Sequence, residues 1–166
     1  MNYLIGIDVG TSATKTVLFD ENGQIKGSVS CEYPLYQPEN GWAEQKAEDW
    51  RDAVLKTLKE VMKLSGVPAE EVKGIGISGQ MHGLVMLDEQ GEVLRPSIIW
   101  CDQRTSAEVA QMNRIVGHEK FMEITANPAL TGWTAAKILW VRNNEPENYK
   151  KCCHILLPKD YLRFIL

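Results

Sequence analysis

Near the N-terminus, an aspartate and a turn of small residues follow the first apolar run of the chain. Gly10 lets the backbone approach a ligand without a Cβ, and the amides and hydroxyls of Thr11 and Ser12 can converge on an anion. Asp8, at the end of the run, could hold a hydrated Mg²⁺ beside that anion. Lys15 would add positive charge next to a bound triphosphate. The pattern predicts a phosphate site on a hairpin, with an ordinary tight turn and a solvated lysine as the alternative.

Two further polar segments, 79–83 and 100–104, also follow runs that read as strands. They supply an imidazole, an amide, a carboxylate and a guanidinium, which suit a small polyhydroxylated molecule. If the preceding strands are parallel neighbours, their carboxyl ends meet at one edge of a sheet, and we expect one pocket that also includes Asp8. The candidate substrate ligands are Gln80, Met81, His82, Trp100, Asp102 and Arg104.

Four of these side chains also have a purely structural interpretation, whereas Gln80 and Met81, between two glycines, are harder to explain in that way. His82 could be an ordinary loop histidine, and Trp100 could belong to the core. Asp102 could cap the helix that follows it, and Arg104 could pair with Asp102 or with Glu108. Residue types alone leave both interpretations open.

The elements that must position these groups follow from hydrophobic periodicity. Short turns join the first three apolar runs, which predicts an antiparallel meander of three strands, 3–8, 15–20 and 24–33. Apolar residues at helical spacing predict a helix over 46–64, which we expect to cover one face of the meander. Strands are predicted over 72–79, 84–87, 96–100 and 154–157, and helices over 105–116, 119–125, 134–144 and 159–162. This order indicates an α/β domain with a mixed sheet.

One predicted helix carries a specific expectation about its buried face. In the segment 134–144, the apolar residues Ala135, Ile138 and Leu139 are expected to face the core, with Val141 as a further candidate.

Size and composition narrow the class of protein. The chain has 166 residues, 44% of them hydrophobic and 24% charged, which favours one globular domain. A formal charge of −4 argues against nucleic acid as a partner. No apolar stretch predicts a membrane span or a signal peptide, so we expect a cytoplasmic protein without a membrane partner. The four cysteines lack a C-x-x-C spacing, which favours reduced thiols over a metal site.

Read together, these segments resemble the N-terminal part of the FGGY carbohydrate kinases. The resemblance covers nearly the whole chain. The first motif is also shared by ATPases of the actin and chaperone type, whereas Gln-Met-His-Gly is similar to the signature of pentulose kinases. The resemblance to the family rests on the segments 6–15 (GIDVGTSATK), 41–45 (GWAEQ), 79–83 (GQMHG), 99–104 (IWCDQR) and 157–162 (LPKDYL).

The resemblance implies a ribonuclease H-like domain of the actin-like ATPase type, one of two that close over ATP and a sugar. It implies that Asp8 places Mg²⁺ and the phosphates, that Met81 and His82 bind the ketose, and that Asp102 and Arg104 lie beside it. The implied reaction transfers the γ-phosphoryl group of ATP to a primary hydroxyl of D-xylulose, giving the 5-phosphate. A homodimer of the full-length protein is compatible with the resemblance.

The chain also departs from the family pattern. Members are much longer, and their general base lies in a downstream Gly-Gly-Asp segment that does not occur here. Four of the last five residues, 162–166, are apolar, which is typical of an excised fragment, with a buried C-terminal helix as the alternative. We therefore expect a truncated N-terminal domain that is inactive by itself, with the second domain outside this chain. Kinases of ribulose, gluconate or fuculose, and a non-enzymatic nucleotide-binding module of the actin or chaperone type, are the alternatives.

Overall fold

The computed structural model describes residues 1–166, and the chain divides into two compact units. Unit 1 comprises Met1–Leu35, Lys46–Gln80 and Pro158–Leu166, and unit 2 comprises Tyr36–Gln45 and Met81–Leu157. The elements in chain order are β1 (Tyr3–Val9), β2 (Ala13–Asp20), β3 (Ile25–Glu32), β4 (Glu44–Gln45), α1 (Ala47–Ser65), a 3₁₀ turn (Ala69–Glu71), β5 (Val72–Gly79), β6 (Val85–Leu87), β7 (Ser97–Ile98), α2 (Ser106–Val116), α3 (His118–Thr125), α4 (Thr134–Asn144), α5 (Pro146–Lys151), β8 (His154–Leu156) and α6 (Pro158–Ile165).

Unit 1 is built on a four-stranded sheet with the order β3-β2-β1-β5. The first three strands are antiparallel neighbours, and β5 pairs with β1 in parallel. The predicted mixed sheet, opened by a three-stranded meander, is therefore confirmed. Because β1 and β5 run in the same direction, Asp8 and Ser78 lie side by side near their carboxyl ends.

One face of this sheet is covered by α1, which packs against β2 and β3. The helix buries Trp50, Val54 and Val61 completely or nearly so, which confirms the periodicity in the sequence. Gly66 ends it in a left-handed conformation, φ 66°, that a residue with a Cβ rarely adopts. The contact is close: a Cβ on Gly27 would lie 3.0 Å from Cγ2 of Val61.

Unit 2 contains two small sheets and four helices. Its strands pair antiparallel, β4 with β7 and β6 with β8. A buried cluster of Leu84, Met86, Ile98 and Val141 forms its apolar core. No helix in the structure has the length and hydropathy needed to cross a bilayer.

Unit 2 corrects three expectations. The strands predicted over 84–87 and 96–100 form, but as shorter segments outside the main sheet, so they are not parallel neighbours of β1. The helix α4 buries Ala136, Lys137 and Val141, whereas Ala135 is exposed. The helix α5 was not predicted, although Pro146 occupies a favoured first-turn position. The first two errors arose because the partners of apolar residues lie far away in sequence, whereas α5 is mostly polar and shows no apolar periodicity.

Candidate functional site

The predicted phosphate turn joins β1 to β2 in unit 1. The amide of Gly10 donates to the carbonyl of Ala13 at 3.0 Å, and a Cβ on Gly10 would lie 3.1 Å from that oxygen. The turn therefore favours glycine at this position, as its sequence indicated. Thr11 is partly exposed and Ser12 is exposed, so both lie where an anion could reach them.

Two side chains from elsewhere in unit 1 brace this turn. The Nε2 group of Gln80 donates to the carbonyl of Gly10 at 3.3 Å, and the hydroxyl of Tyr33 donates to the same oxygen at 2.5 Å. Burial raises the pKa of Tyr33 to about 12, which keeps the phenol protonated as a donor near neutral pH. Gln80, expected as a substrate ligand, is 5% exposed and directs its amide to the phosphate turn.

Asp8 lies on the face of the sheet opposite α1. Its Cα partners are Lys15 on β2 and Ser78 on β5, and all three residues are exposed. They line a cleft on this open face, whose floor includes Gly6 and Gly76. A carboxylate and an ammonium thus flank a cleft that is also lined by Val17 and Phe19, at the strand ends beside the Gly10 turn.

In unit 2, the His82 loop has an unusual backbone. His82 adopts φ 59°, one of only two non-glycine residues in the chain with a positive φ. Its imidazole stacks on the ring of Trp133, with centroids 5.1 Å apart and an interplanar angle of 7°. Burial, followed by the charge of Lys137, lowers the pKa of His82, so the ring is neutral near pH 7. Met81 beside it is 52% exposed.

Trp100 and Gly132 bring two other loops of unit 2 together. A Cβ on Gly132 would lie 2.6 Å from the carbonyl oxygen of Trp100, so this approach requires glycine. Thr105 Oγ1 donates to the carbonyl of Thr131 at 3.1 Å, which fixes the same two loops. Trp100 is 44% exposed and is therefore not the core residue that the structural interpretation of the sequence suggested.

Asp102 and Arg104 lie in a buried network of charges. Asp102 is fully buried, and its Oδ2 accepts from the Ala43 amide at 2.6 Å and from Nη2 of Arg104 at 2.8 Å. Arg104 also reaches Oε1 of Glu44 at 2.8 Å, and Arg95 donates to that same oxygen at 2.7 Å. Of the two pairings considered for Arg104, the structure contains the one with Asp102. This network holds the loop at 100–104 against β4.

The structure thus separates the candidate residues into two sets. Asp8, Gly10, Thr11, Ser12, Lys15 and Gln80 belong to unit 1, and Met81, His82, Trp100, Asp102 and Arg104 belong to unit 2. Within the second set, Met81, His82 and Trp100 have accessible side chains, whereas the side chains of Asp102 and Arg104 are at most 1% exposed.

Sequence reasoning missed two residues that contact the His82 loop. Trp133 forms the stack described above, and Nζ of Lys137 donates to the carbonyl of His82 at 2.6 Å. A signal for Lys137 was present, because a lysine within the apolar pattern of a helix must either extend to solvent or find buried acceptors. Nothing in the local sequence around Trp133 pointed to His82.

Comparisons with known proteins agree with this architecture. Residues 3–166 match the N-terminal domain of the FGGY family of carbohydrate kinases. The xylulose kinase of Bacillus subtilis (strain 168) is 46% identical over 164 residues, which cover 99% of this chain and 33% of the relative. This chain therefore spans about a third of the length of that relative.

Solved structures of such kinases have the same fold. The xylulose kinase of Rhodospirillum rubrum superposes with a TM-score of 0.93 at 29% identity, over 99% of this chain and 34% of that one. The gluconate kinase of Lactobacillus acidophilus superposes with a TM-score of 0.91 at 32% identity, over 99% and 33%. The fold is thus the actin-like, ribonuclease H-like fold of these kinases. On this match along almost its entire length, the chain belongs to the FGGY family of carbohydrate kinases.

Proposed function

We propose that the protein containing this chain transfers the γ-phosphoryl group of ATP to a primary hydroxyl of D-xylulose. In this proposal unit 1 contributes the phosphate turn and unit 2 contributes the loop that binds the sugar. The observation that carries the choice of a sugar is the His82 loop, in which a partly exposed imidazole is stacked on Trp133 beside exposed Met81. The 46% identity to a xylulose kinase supports the choice of D-xylulose.

The groups around the Gly10 turn suit the phosphates of ATP and Mg²⁺. Asp8 offers a hard oxygen ligand, while no group of three or more metal-ligating side chains occurs in the structure. A single carboxylate is enough for Mg²⁺, which keeps water and phosphate oxygens in its shell. The bound ion would neutralise phosphate charge. Lys15, the β2 partner of Asp8, would add a positive charge, and the Thr11 and Ser12 amides and hydroxyls would donate to phosphate oxygens.

The accessible groups of unit 2 suit a polyol. A neutral imidazole has one donor and one acceptor, which matches hydroxyl groups that both donate and accept. The exposed surfaces of Met81 and Trp100 can cover the C–H face of a sugar. Because Asp102 and Arg104 are buried and paired with each other, we assign them to holding the loop beside the sugar. Gln80 is assigned in the same way to supporting the phosphate turn.

Phosphoryl transfer also needs a group that accepts the proton of the attacking hydroxyl. Family resemblance places this base in a Gly-Gly-Asp segment, and no such segment occurs among these 166 residues. The groups described here position substrates and neutralise charge, which is most of what this chemistry requires. We therefore expect the 166-residue chain to bind ligands without turnover.

A substrate panel tests the proposal. The full-length protein carrying this chain should be assayed for ADP release with D-xylulose, D-ribulose, L-fuculose, D-gluconate and glycerol. We expect D-xylulose to give the highest kcat/KM and the product to be the 5-phosphate. Faster turnover of D-gluconate would move the assignment to another kinase of the family. ATP hydrolysis that no sugar accelerates would support a nucleotide-binding module instead.

A further inference from the structure

Lys137 is a buried charged residue that has no part in the proposed reaction. Its side chain is completely buried in α4, where its Nζ donates to two backbone carbonyls, those of His82 and Gly132, both at 2.6 Å. Burying an ammonium group is unfavourable, and an apolar side chain of similar volume would fill the same space without that cost. A lysine at this position therefore points to a requirement other than stability.

The two carbonyls lie on either side of the stacked pair formed by His82 and Trp133. His82 itself carries one of them, and Gly132, which carries the other, immediately precedes Trp133. Thr134 Oγ1 adds a third contact by donating to the carbonyl of His82 at 3.2 Å. One ammonium group thus fixes the backbone beneath the imidazole and the backbone beneath the indole on which it stacks.

A third loop, which carries Trp100, contacts the same Gly132 turn. The turn at Gly132 lies against the carbonyl of Trp100, at a distance that leaves no room for a Cβ. A shift of the Gly132 carbonyl toward or away from Lys137 would therefore move Trp100 as well. Two loops of unit 2 thus contact one side chain that has no exposed surface, and a third loop contacts one of those two.

We propose that Lys137 is a positioning residue, which sets the plane of the His82 imidazole by bridging the carbonyls of His82 and Gly132. It acts through the backbone and does not touch the sugar. That the imidazole plane matters for binding a ketose rests on the proposed function. The bridge itself does not depend on any ligand, so the two ideas can be tested separately.

The test uses nuclear magnetic resonance on the 166-residue chain at pH 7.5. In the wild-type chain, the stacked indole of Trp133 should displace the ring protons of His82 upfield. In Lys137→Met, which keeps the length and volume but cannot donate, this displacement should largely disappear. The dissociation constant for D-xylulose can be measured from the chemical shifts of the same protons during a titration. It should rise at least about tenfold, because about one interaction with the sugar is lost. Lys150→Met removes an exposed lysine of α5 and serves as the matched control.

A second variant keeps the proposal testable if Lys137→Met does not fold. Lys137→Gln retains a polar donor but is too short to reach both carbonyls, so the same loss of ring displacement is expected. Unchanged His82 ring protons in a folded Lys137 variant would overturn the proposal. If D-xylulose perturbs no signal of the wild-type chain while the ring displacement depends on Lys137, the positioning role stands and the assignment of the sugar site fails.

Discussion

The guanidinium carbon of Arg104 lies 3.7 Å from the centroid of the Trp42 ring. The same guanidinium forms ion pairs with the carboxylates of Asp102 and Glu44. Its carbon also lies 4.9 Å from the centroid of the Trp140 ring. Its side chain is only 1% exposed. A planar cation that both stacks on an indole and donates to two carboxylates uses properties of arginine that lysine lacks.

Arg104→Met should destabilise unit 2 strongly. The change leaves the carboxylate of Asp102 buried with the Ala43 amide but without its cation, and losing one partner of a buried pair costs about 3–5 kcal/mol. Denaturant unfolding followed by tryptophan fluorescence measures this, because Trp42, Trp100, Trp133 and Trp140 all lie in unit 2. Arg51→Met breaks an exposed pair with Asp52 and should cost less than about 1 kcal/mol. Equal losses in both variants would contradict the importance of the buried network.

Gly79→Ala should destabilise unit 1 through its backbone contact with β1. A Cβ at this position would lie 2.8 Å from the carbonyl oxygen of Val9, too close for any ordinary contact. Overpacking of this kind costs about 1–3 kcal/mol in unfolding free energy. Gly76→Ala on the same strand is the matched control, since its nearest contact is 4.0 Å away and its effect should stay within about 1 kcal/mol. Similar unfolding midpoints for the two variants would argue against a tight approach of β5 to β1.

Lys137 should make the stability of unit 2 increase with pH in the alkaline range. Burial, with a smaller contribution from Arg104, lowers its pKa from 10.5 to about 8, while Asp102 and Cys101 oppose the shift. Because the unfolded chain holds this proton more tightly, stability should rise from about pH 8 up to pH 10.5. Other groups titrate in this range, so the quantity to measure is the difference in unfolding free energy between wild type and Lys137→Met. A difference that stays constant between pH 7.5 and 10 would refute this reasoning.

His82→Asn should reduce sugar use far more than stability. Asparagine tolerates the left-handed backbone of this position, so the loop can keep its conformation while the imidazole is lost. In the full-length protein, kcat/KM for D-xylulose should fall roughly 10- to 100-fold, as expected for one or two lost hydrogen bonds. The KM for ATP and the Tm should change little, and His118→Asn, at an exposed position of α3, is the control. A parallel loss of folded protein would instead support a structural role for His82.

Asp8→Asn should impair the use of Mg-ATP. The substitution preserves the shape of the side chain but removes the negative charge on the open face beside Lys15. In the full-length protein, we expect kcat to fall roughly 100-fold and the Mg²⁺ concentration needed for half-maximal rate to increase. Asp52→Asn, at an exposed position on α1, controls for the loss of one charge. Unchanged Mg²⁺ dependence would show that Asp8 does not act near the metal.

Much of the fold and part of the site could be predicted because the signals are local. Short turns between apolar runs predicted the meander, and the spacing of Trp50, Val54 and Val61 predicted α1. The turn after β2 is similarly local, since Asp20 Oδ1 accepts from the amides of Asn22 and Gln24. Such features depend on neighbours within a few residues, so they can be derived from the order of the residues.

The sequence by itself therefore determined the tight turn at Gly10, the covering helix and the polar residue types in the segments 79–83 and 100–104. Only the tertiary structure decided which of those side chains are exposed to solvent. Asp102 meets the Ala43 amide across 59 residues, and Lys137 meets the carbonyl of His82 across 55. The physical reason is that a buried charge takes its partners from whichever loops pack against it, and a residue type does not specify those loops.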